Sequence, residues 1–188
     1  MNKIQIIILI SLFTISCSKS NTEESYQGPQ NPSFEFEGAG TMYAQYWTFN
    51  KSAACELLRR NGLEFMPTNG SWYLEFKLTN LTDPTAEVLA WQENVDFSSS
   101  SRLTFDYSYN LYGNVTFQLL FTADGTIKLW EKIFTNSPVV NGHQLNETVN
   151  LPALPNSGKL TIKVAASGLT DTGTNPTAYF NIDNLKVQ

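Results

Sequence analysis

Apolar and polar residues alternate along the stretch Leu103-Thr-Phe-Asp-Tyr-Ser-Tyr-Asn-Leu-Tyr-Gly-Asn-Val-Thr-Phe-Gln-Leu-Leu-Phe121. Successive side chains of a β-strand point to opposite faces, so this alternation indicates two strands that each bury one face. The same period recurs outward along the chain, in Trp72/Leu74/Phe76/Leu78 and in Leu160/Ile162/Val164. Short alternating strands bounded by Gly, Pro, Asn and Asp are typical of antiparallel sandwiches. The chain is therefore predicted to be all-β, an antiparallel β-sandwich.

A different pattern occupies residues 52–60. The sequence Ser-Ala-Ala-Cys-Glu-Leu-Leu-Arg-Arg has helical character, and Asn61-Gly62 follows it as a C-terminal stop. We predict one short helix here, in an otherwise all-β domain.

Two loops in the centre of the chain share one construction. Leu111-Tyr-Gly113 and Ala123-Asp-Gly125 each lie between alternating segments, and each ends in the glycine that a three-residue hairpin loop favours at its last position. Two successive hairpins would place three strands side by side in one sheet. In that register Asp106, Gln118 and Trp130 form a row across the outer face, while the aromatic and aliphatic residues face the core.

One residue conflicts with this register. Glu131 would lie on the core side beside Phe117, where an unpaired carboxylate is costly. Either a bulge shifts this strand near Glu131 or the end of the strand runs past the core. A bulge before Trp130 would also move Trp130 off the row.

The last segment changes phase. Phe180 and Ile182 share one face by alternation, whereas the apolar residues Leu185 and Val187 share the other. We predict a bulge at Asp183-Asn184, because one extra residue would reconcile the two pairs and re-aim the Asp183 carboxylate.

The first sixteen residues have the pattern of a signal peptide. Lys3 precedes an apolar run from Ile4 to Ile15 that is too short to span a bilayer. Phe13-Thr-Ile-Ser-Cys17 resembles a bacterial lipobox, which implies cleavage before Cys17 and acylation of its thiol and new amino group; a disulfide role for Cys17 is the alternative. Residues 17–30 are polar without periodicity and are predicted to be a flexible tether, which leaves residues 31–188 as one domain.

Charge and cysteine content restrict the class of partner. The chain carries 12 basic and 17 acidic residues, and removal of residues 1–16 takes away Lys3 alone, which leaves a net charge of −6. Acidic proteins repel phosphate backbones, so the composition argues against a nucleic-acid partner. Once Cys17 is acylated, Cys55 is the one remaining cysteine. It is interpreted as a small buried hydrophobe and not as a nucleophile.

Several segments resemble the galactose-binding-like jelly rolls, especially carbohydrate-binding modules of the xylan- and glucan-binding kind. They occur in a consistent order over residues 31–188: Asn31-Pro-Ser-Phe-Glu35, Pro67-Thr-Asn-Gly-Ser-Trp-Tyr-Leu74, Ala90-Trp-Gln92 with Val95-Asp-Phe97, Leu103-Thr-Phe-Asp-Tyr107, and Ile182-Asp-Asn-Leu185. The resemblance implies a jelly roll whose first and last strands meet. A lipoprotein that carries such a domain is similar to those of Bacteroidetes-type glycan-gathering systems.

The resemblance also implies a metal. In this family a structural calcium commonly ties the first strand to the last, and Glu35 and Asp183 are the matching carboxylates, with backbone carbonyls completing the oxygen shell. The residues leave a second interpretation open, in which Glu35 is a solvated carboxylate opposite in phase to Phe34 and Phe36. The sequence contains no EF-hand loop and no His/Cys cluster, so it makes no case for zinc.

Glycan binding needs flat apolar rings against the C–H faces of sugars and fixed polar groups for their hydroxyls. The predicted row of Asp106, Gln118 and Trp130 has this composition, as a platform on the concave sheet of a jelly roll would. Its alternative is a solvated outer sheet with one tryptophan covered by a loop. Three further aromatic residues are candidate ligand contacts, the last of them also a core candidate: Tyr112, Trp47 and Trp91.

No catalytic pattern accompanies the row. The chain lacks the Glu-x-Asp-x-x-Glu strand of laminarinase-type jelly rolls and the Gly-x-Ser-x-Gly elbow, and its one histidine, His143, lies in an Asn-Gly-His turn. The sequence predicts non-catalytic binding of polysaccharide or oligosaccharide by a lipoprotein of the outer membrane. The domain would face either the periplasm or the cell surface, and its predicted partner is a glycan-uptake complex. Two alternatives stay open: a structural or adhesive surface module that binds protein, and a jelly-roll hydrolase or lyase with Asp106 as the suspected carboxylate.

Overall fold

The computed structural model describes residues 28–38, 40–52, 55–61, 70–79, 81, 86–113, 115–135, 139–167 and 176–188. Within these ranges every regular element is a strand: β1 (Glu37–Gly38), β2 (Gly40–Ala44), β3 (Thr48–Lys51), β4 (Cys55–Arg60), β5 (Tyr73–Leu78), β6 (Glu87–Asp96), β7 (Arg102–Tyr112), β8 (Thr116–Ala123), β9 (Ile127–Thr135), β10 (Val139–Asn150), β11 (Ser157–Ser167) and β12 (Thr177–Val187).

The strands form two five-stranded antiparallel sheets and one short hairpin. Sheet I has the order β10-β7-β12-β5-β4, sheet II has the order β3-β6-β11-β8-β9, and β1 pairs with β2. Along the chain β5, β6, β7 and β8 lie in alternate sheets, as do β9, β10, β11 and β12. The prediction of an antiparallel β-sandwich of jelly-roll type is confirmed.

Alternating side chains build the core between the two sheets. Sheet I contributes the buried residues Phe105 and Tyr107 of β7 to this core, and sheet II contributes Phe117, Leu119 and Phe121 of β8. The rings of Phe105 and Phe121 stack across the interface with centroids 4.4 Å apart. Burial of apolar surface at about 25 cal/mol per Å² makes this layer the main source of stability.

The predicted helix at residues 52–60 is wrong. Cys55–Arg60 forms β4, which pairs antiparallel with β5 at the edge of sheet I; residues 53 and 54 lie outside the described ranges. Cys55, Leu57 and Arg59 point inward and are buried, and the residues between them are more exposed. The pairing surface of β5 outweighs helix propensities that differ by only a few tenths of a kcal/mol per residue.

The predicted hairpin between β7 and β8 is also wrong. β7 pairs with β10 and β12 in sheet I, whereas β8 pairs with β9 and β11 in sheet II. The chain leaves sheet I after Tyr112, at Gly113, whose φ of +93° is left-handed. A Cβ at Gly113 would lie 3.0 Å from the Cα of Pro176. Because partner strands already occupy both edges of β7, β8 pairs in the opposite sheet.

β8 and β9 form the second predicted hairpin, but in a different register. The loop has three residues, 124–126, because Ala123 pairs with Ile127; Asp124 and Gly125 both have positive φ angles, and the N–H of Thr126 donates to the carbonyl of Ala123 at 3.2 Å. A bulge follows in the ladder, and Phe121 then lies opposite Trp130. Trp130 therefore shares the core face of Phe121.

The predicted bulge in the last strand is confirmed. The register of β12 against β7 shifts between Asp183 and Lys186, and Asn184 adopts a left-handed φ of +52°. Leu185 is consequently buried like the residues before the bulge. Its N–H donates to the carbonyl of Pro32 at 2.9 Å, so the opening segment meets the last strand as predicted.

Candidate functional site

An aromatic pocket opens beside the short strands β1, β2 and β3. Its volume is about 850 Å³, and its walls are Glu37, Gly38, residues 43–51 and Leu57. The rings of Tyr43 and Phe49 stack at 5.6 Å with an interplanar angle of 29°. Apolar rings and the side-chain amides of the same segment thus surround one concavity, which is called the aromatic pocket below.

A tight turn places the most exposed ring of the pocket. Tyr46 has a left-handed φ of +70°, and the N–H of Trp47 donates to the carbonyl of Ala44 at 3.3 Å. The Nε2 of Gln92 donates to the carbonyl of Tyr46 at 3.4 Å and supports the turn. A left-handed tyrosine costs on the order of 1–3 kcal/mol, a strain that proteins store mostly at functional sites. Here it leaves the Tyr46 side chain 54% exposed.

Trp47 forms part of the pocket wall and is only 6% exposed. Its ring packs against Phe34 with centroids 5.5 Å apart. Among the described residues its buried indole N–H has no acceptor. An unsatisfied buried donor costs about 1–3 kcal/mol.

A second concavity of about 370 Å³ adjoins the first and shares Gln45 and Tyr46 with it. Asn31 holds its wall: the Asn31 Nδ2 donates to the carbonyls of Phe36 and Gln45 at 3.0 and 3.3 Å, and its Oδ1 accepts the N–H of Phe36 at 3.0 Å. The Phe36 ring is exposed. The aromatic surface therefore continues from Tyr43 past Tyr46 to Phe36.

The charged groups of the aromatic pocket are already engaged. Glu37 is paired with Arg59 at 3.5 Å. The Nζ of Lys51, the one cationic side chain that the described residues contribute to the pocket wall, donates to the carbonyl of Cys55 at 2.6 Å. The cation that the described residues contribute to this wall is therefore already engaged and is not positioned for an anionic ligand.

The outward face of sheet I is polar. Ser108 and Asn181 lie opposite each other in β7 and β12, and the Asn181 Nδ2 donates to the Ser108 Oγ at 2.9 Å. His143 and Glu75 extend this row onto β10 and β5. The buried amide oxygens of Asn181 and Asn110 have no partner among the described residues. This face offers hydrogen-bonding groups with fewer exposed rings than the aromatic pocket.

Asp106 and Asp183 lie directly opposite each other on that face. Asp106 accepts hydrogen bonds from the N–H of Asn146 at 2.5 Å and from the Nδ2 of Asn184 at 3.2 Å. Asp183 accepts the N–H of Asn184 at 2.7 Å. The two residues are 1% and 0% exposed. Glycoside hydrolysis needs two carboxyl groups that reach a sugar, so this buried pair gives the enzyme alternative no support.

The predicted row of Asp106, Gln118 and Trp130 is wrong. Asp106 belongs to sheet I, whereas Gln118 and Trp130 belong to sheet II. Trp130 packs edge-on against Phe105 at 5.1 Å, and its Nε1 donates to the Oε1 of Glu147 at 3.2 Å. The row fails because it rested on a β7–β8 hairpin that the sandwich does not form.

The bulge that Glu131 required is present. Glu131 lies opposite Leu120, on the outward side of sheet II. Its carboxylate accepts hydrogen bonds from Gln118 and, at 2.8 Å, from the Nζ of Lys128, and these bonds, that from Lys128 foremost, lower the pKa of Glu131. Gln118 therefore supports a surface ion pair in place of a glycan platform.

We expect Lys132 to make stability depend on alkaline pH. Its Nζ donates to the hydroxyl of Tyr107 at 2.7 Å, and this bond raises the pKa of Lys132 from its usual 10.5. The folded state binds the Lys132 proton more tightly than the unfolded state does. The stability that this bond contributes is therefore complete below the pKa of Lys132 in the unfolded chain and is lost as pH rises through its pKa in the folded protein. Urea midpoints at rising alkaline pH should fall more steeply for the wild-type protein than for Lys132→Met. Parallel curves would contradict this.

The remaining aromatic candidates lie in three different places. Tyr112 is exposed at the outer end of β7 in sheet I, and Trp91 is half-buried on the outward side of sheet II with the Nζ of Lys159 4.5 Å from its ring centroid. Trp47 alone belongs to the aromatic pocket. Tyr43, Tyr46 and Phe36 were not among the predicted site residues, although the density of aromatic residues between 43 and 49 is a sequence signal for such a site.

The calcium ligands that the resemblance implies have other partners. The Oε1 of Glu35 accepts the N–H groups of Ser71 and Trp72, each at 2.8 Å. The carbonyls of Phe34 and Glu35 both accept N–H groups of Arg59. Among the described residues no three His, Cys, Asp or Glu side chains are grouped to hold a metal. The guanidinium of Arg59 already contacts these two carbonyls, so they do not fit a calcium ion.

The predicted anchor lies outside the described residues, because they begin at residue 28 and Cys17 precedes them. In the described part of the chain, no helix has the length and apolar character to cross a membrane. Cys55 is buried in β4, where it forms no disulfide with any described residue. Its placement confirms the interpretation of a small buried hydrophobe.

No family model matches this chain, and no curated protein matches it. The fold resembles the K1 cleaved adhesin domain of Lys-gingipain from Porphyromonas gingivalis, with 13% identity, a TM-score of 0.54 and coverage of 83% of this chain and 95% of that chain. For the K3 cleaved adhesin domain of the same protein the values are 14%, 0.50, 84% and 96%. A carbohydrate-binding module specific for non-crystalline cellulose has 12% identity, a TM-score of 0.49, and coverage of 87% and 95%. At these identities, what the chain shares with the adhesin domains is the β-sandwich fold.

Proposed function

We propose that this protein is a membrane-anchored, non-catalytic glycan-binding domain and that the aromatic pocket holds the sugar. The observation that carries the proposal is the grouping of exposed tyrosine rings with amide side chains around one concavity. Tyr43 and Tyr46 are exposed, and Gln45 and Asn50 lie in the same wall. Rings pack against the C–H faces of pyranoses while side-chain amides bind hydroxyls, so the pocket has both parts of a sugar site.

The charge of the pocket favours an uncharged glycan. Lys51 is engaged with a backbone carbonyl, Glu37 is paired with Arg59, and the chain is acidic overall. Sulfated or uronic-acid polysaccharides are bound through cations that compensate their charge. The one cation among the described residues of this wall, Lys51, already contacts a backbone carbonyl, so the pocket accepts a neutral sugar at lower electrostatic cost.

The anchor completes the proposal. Acylation at Cys17 would hold the domain on the outer membrane, and residues 17–30 as a flexible tether give a root-mean-square span of roughly 20 Å. A glycan-binding domain held in this way can supply polysaccharide to an uptake complex. No catalytic step is assigned to it.

Affinity electrophoresis of the purified protein against neutral and acidic polysaccharides tests the proposal. A neutral glycan should retard the wild type, and Tyr46→Ala should weaken that binding about tenfold or more, because a central aromatic contact is worth at least about 1.4 kcal/mol. Tyr112→Ala is the matched control, since it removes an exposed tyrosine from sheet I. Binding lost in Tyr112→Ala but kept in Tyr46→Ala would move the site to the polar face of sheet I.

One observation favours a second candidate, a surface module that binds protein. Phe36 exposes a purely apolar ring next to Tyr46. Exposed apolar patches often mark protein-binding sites. Failure of every polysaccharide to retard the folded wild type would reject the glycan proposal and favour this one.

A further inference from the structure

Arg59 lies beneath the opening segment of the domain. It points inward from β4, and its side chain is only 2% exposed. The Nε donates to the carbonyl of Phe34 at 2.6 Å, and the Nη2 donates to the carbonyl of Glu35. A planar guanidinium presents several N–H donors in a fixed fork, which suits two consecutive carbonyls.

The charge of Arg59 is compensated on two sides. The Nη1 lies 3.5 Å from the carboxylate of Glu37. The guanidinium carbon lies 3.7 Å from the ring centroid of Trp72. Trp72, which its alternation with Leu74 and Phe76 predicts to be a core residue, instead precedes β5 and is half-buried beside this charge. A buried cation is tolerated only with such partners, so the surroundings of Arg59 are arranged to hold its positive charge.

Glu35 is held in the same region by backbone donors. Its carboxylate accepts the N–H groups of Ser71 and Trp72, and Gly70 precedes them with a left-handed φ of +86°. A Cβ at Gly70 would meet the carboxylate of Glu35. The loop at residues 70–72 therefore binds the Glu35 carboxylate through backbone N–H groups, and Arg59 of β4 binds the backbone carbonyls of Phe34 and Glu35.

From this arrangement we infer that Arg59 is the structural cation of the domain, which folds and stays folded without calcium. A guanidinium and a calcium ion would compete for the same carbonyl oxygens, and their charges repel. Arg59 also supports the aromatic pocket, because it holds the carbonyl of Phe34 and the ring of Phe34 packs on Trp47.

Thermal unfolding of the wild-type protein is the primary test. The melting temperature should be the same within about 1 °C in EGTA, in calcium chloride and in magnesium chloride of equal ionic strength. Calorimetric titration with calcium chloride should show no saturable heat. A melting temperature several degrees higher in calcium than in magnesium, together with saturable binding, would overturn the inference.

Variants of Arg59 supply an independent test. Arg59→Ala should lower the melting temperature by about 8 °C or more, because two carbonyls and one carboxylate lose a buried partner. Guanidinium chloride at low millimolar concentration should restore part of the loss, whereas sodium chloride should not. Arg59→Lys keeps the charge but not the fork, and it should fall between the two. Arg102→Ala, which removes an exposed arginine of β7, is the control.

Each result with the variants has one meaning. A loss no greater than that of Arg102→Ala would overturn the role of Arg59. Restoration by calcium chloride in place of guanidinium would show that the site prefers the metal ion and would overturn the inference as well. If Arg59→Ala fails to fold, Arg59→Lys and the calcium titration of the wild type decide the question.

Discussion

Replacement of Phe105 by alanine is expected to lower the free energy of unfolding by about 3–5 kcal/mol. Phe105 is fully buried at the centre of the sandwich, where its ring stacks on Phe121 at 4.4 Å and meets Trp130 edge-on at 5.1 Å. The two sheets are held apart by their other side chains, so the removed ring leaves a cavity that they cannot close. Urea denaturation monitored by tryptophan fluorescence measures the change.

Ile133→Ala is the matched control for this prediction. Ile133 lies in β9 with 58% of its surface exposed, and its truncation should change the free energy of unfolding by less than about 0.5 kcal/mol. A cost below about 1.5 kcal/mol for Phe105→Ala would mean that the sheets can collapse onto the cavity. That result would contradict a tightly packed interface at Phe105.

Substitution of Cys17 by serine is expected to abolish lipidation. Each acyl chain contributes about 0.8 kcal/mol per buried methylene, and stable anchoring needs two chains, so loss of the acylated thiol and amino group removes the proposed anchor. Metabolic labelling with an alkyne fatty acid, combined with the intact mass, measures acylation and removal of residues 1–16. The wild-type protein should be labelled and shortened; Cys17→Ser should be neither.

Cys55→Ser provides the cysteine control for labelling. Cys55 is buried in β4, where an acyl chain would have no room, so this variant should carry the same label as the wild type. Equal labelling of Cys17→Ser and the wild type would show that the lipid is attached elsewhere. The proposal of an anchor at Cys17 would then be rejected.

The elements that the sequence predicted correctly depend on local periodicity. The buried alternation of β7 and of β8, and the bulge at Asp183-Asn184, each follow from which neighbouring residues are apolar. A bulge near Glu131 followed from the cost of burying a carboxylate. These inferences compare residues within one strand, so the identity of the partner strand does not affect them.

The predictions that failed depend on partners that are distant in sequence. Cys55–Arg60 forms a strand because the edge of β5 is available for pairing. The row of Asp106, Gln118 and Trp130 does not form because β7 and β8 lie in opposite sheets. A glycine-ended loop is compatible with a hairpin and also with a crossing between sheets. Turn chemistry alone therefore could not place Trp130.

The sequence by itself determined that the chain is an all-β sandwich with apolar faces turned inward, because side-chain period and hydrophobicity are properties of single strands. Only the tertiary structure decided which strands are neighbours, and this strand order determines where the candidate sites lie. The pocket at Tyr43 and Tyr46 depends on a left-handed turn beside β3, and Arg59 reaches the carbonyl of Phe34 across 25 residues of chain. Such contacts between distant segments are set by the packing of the whole domain, which no local pattern encodes.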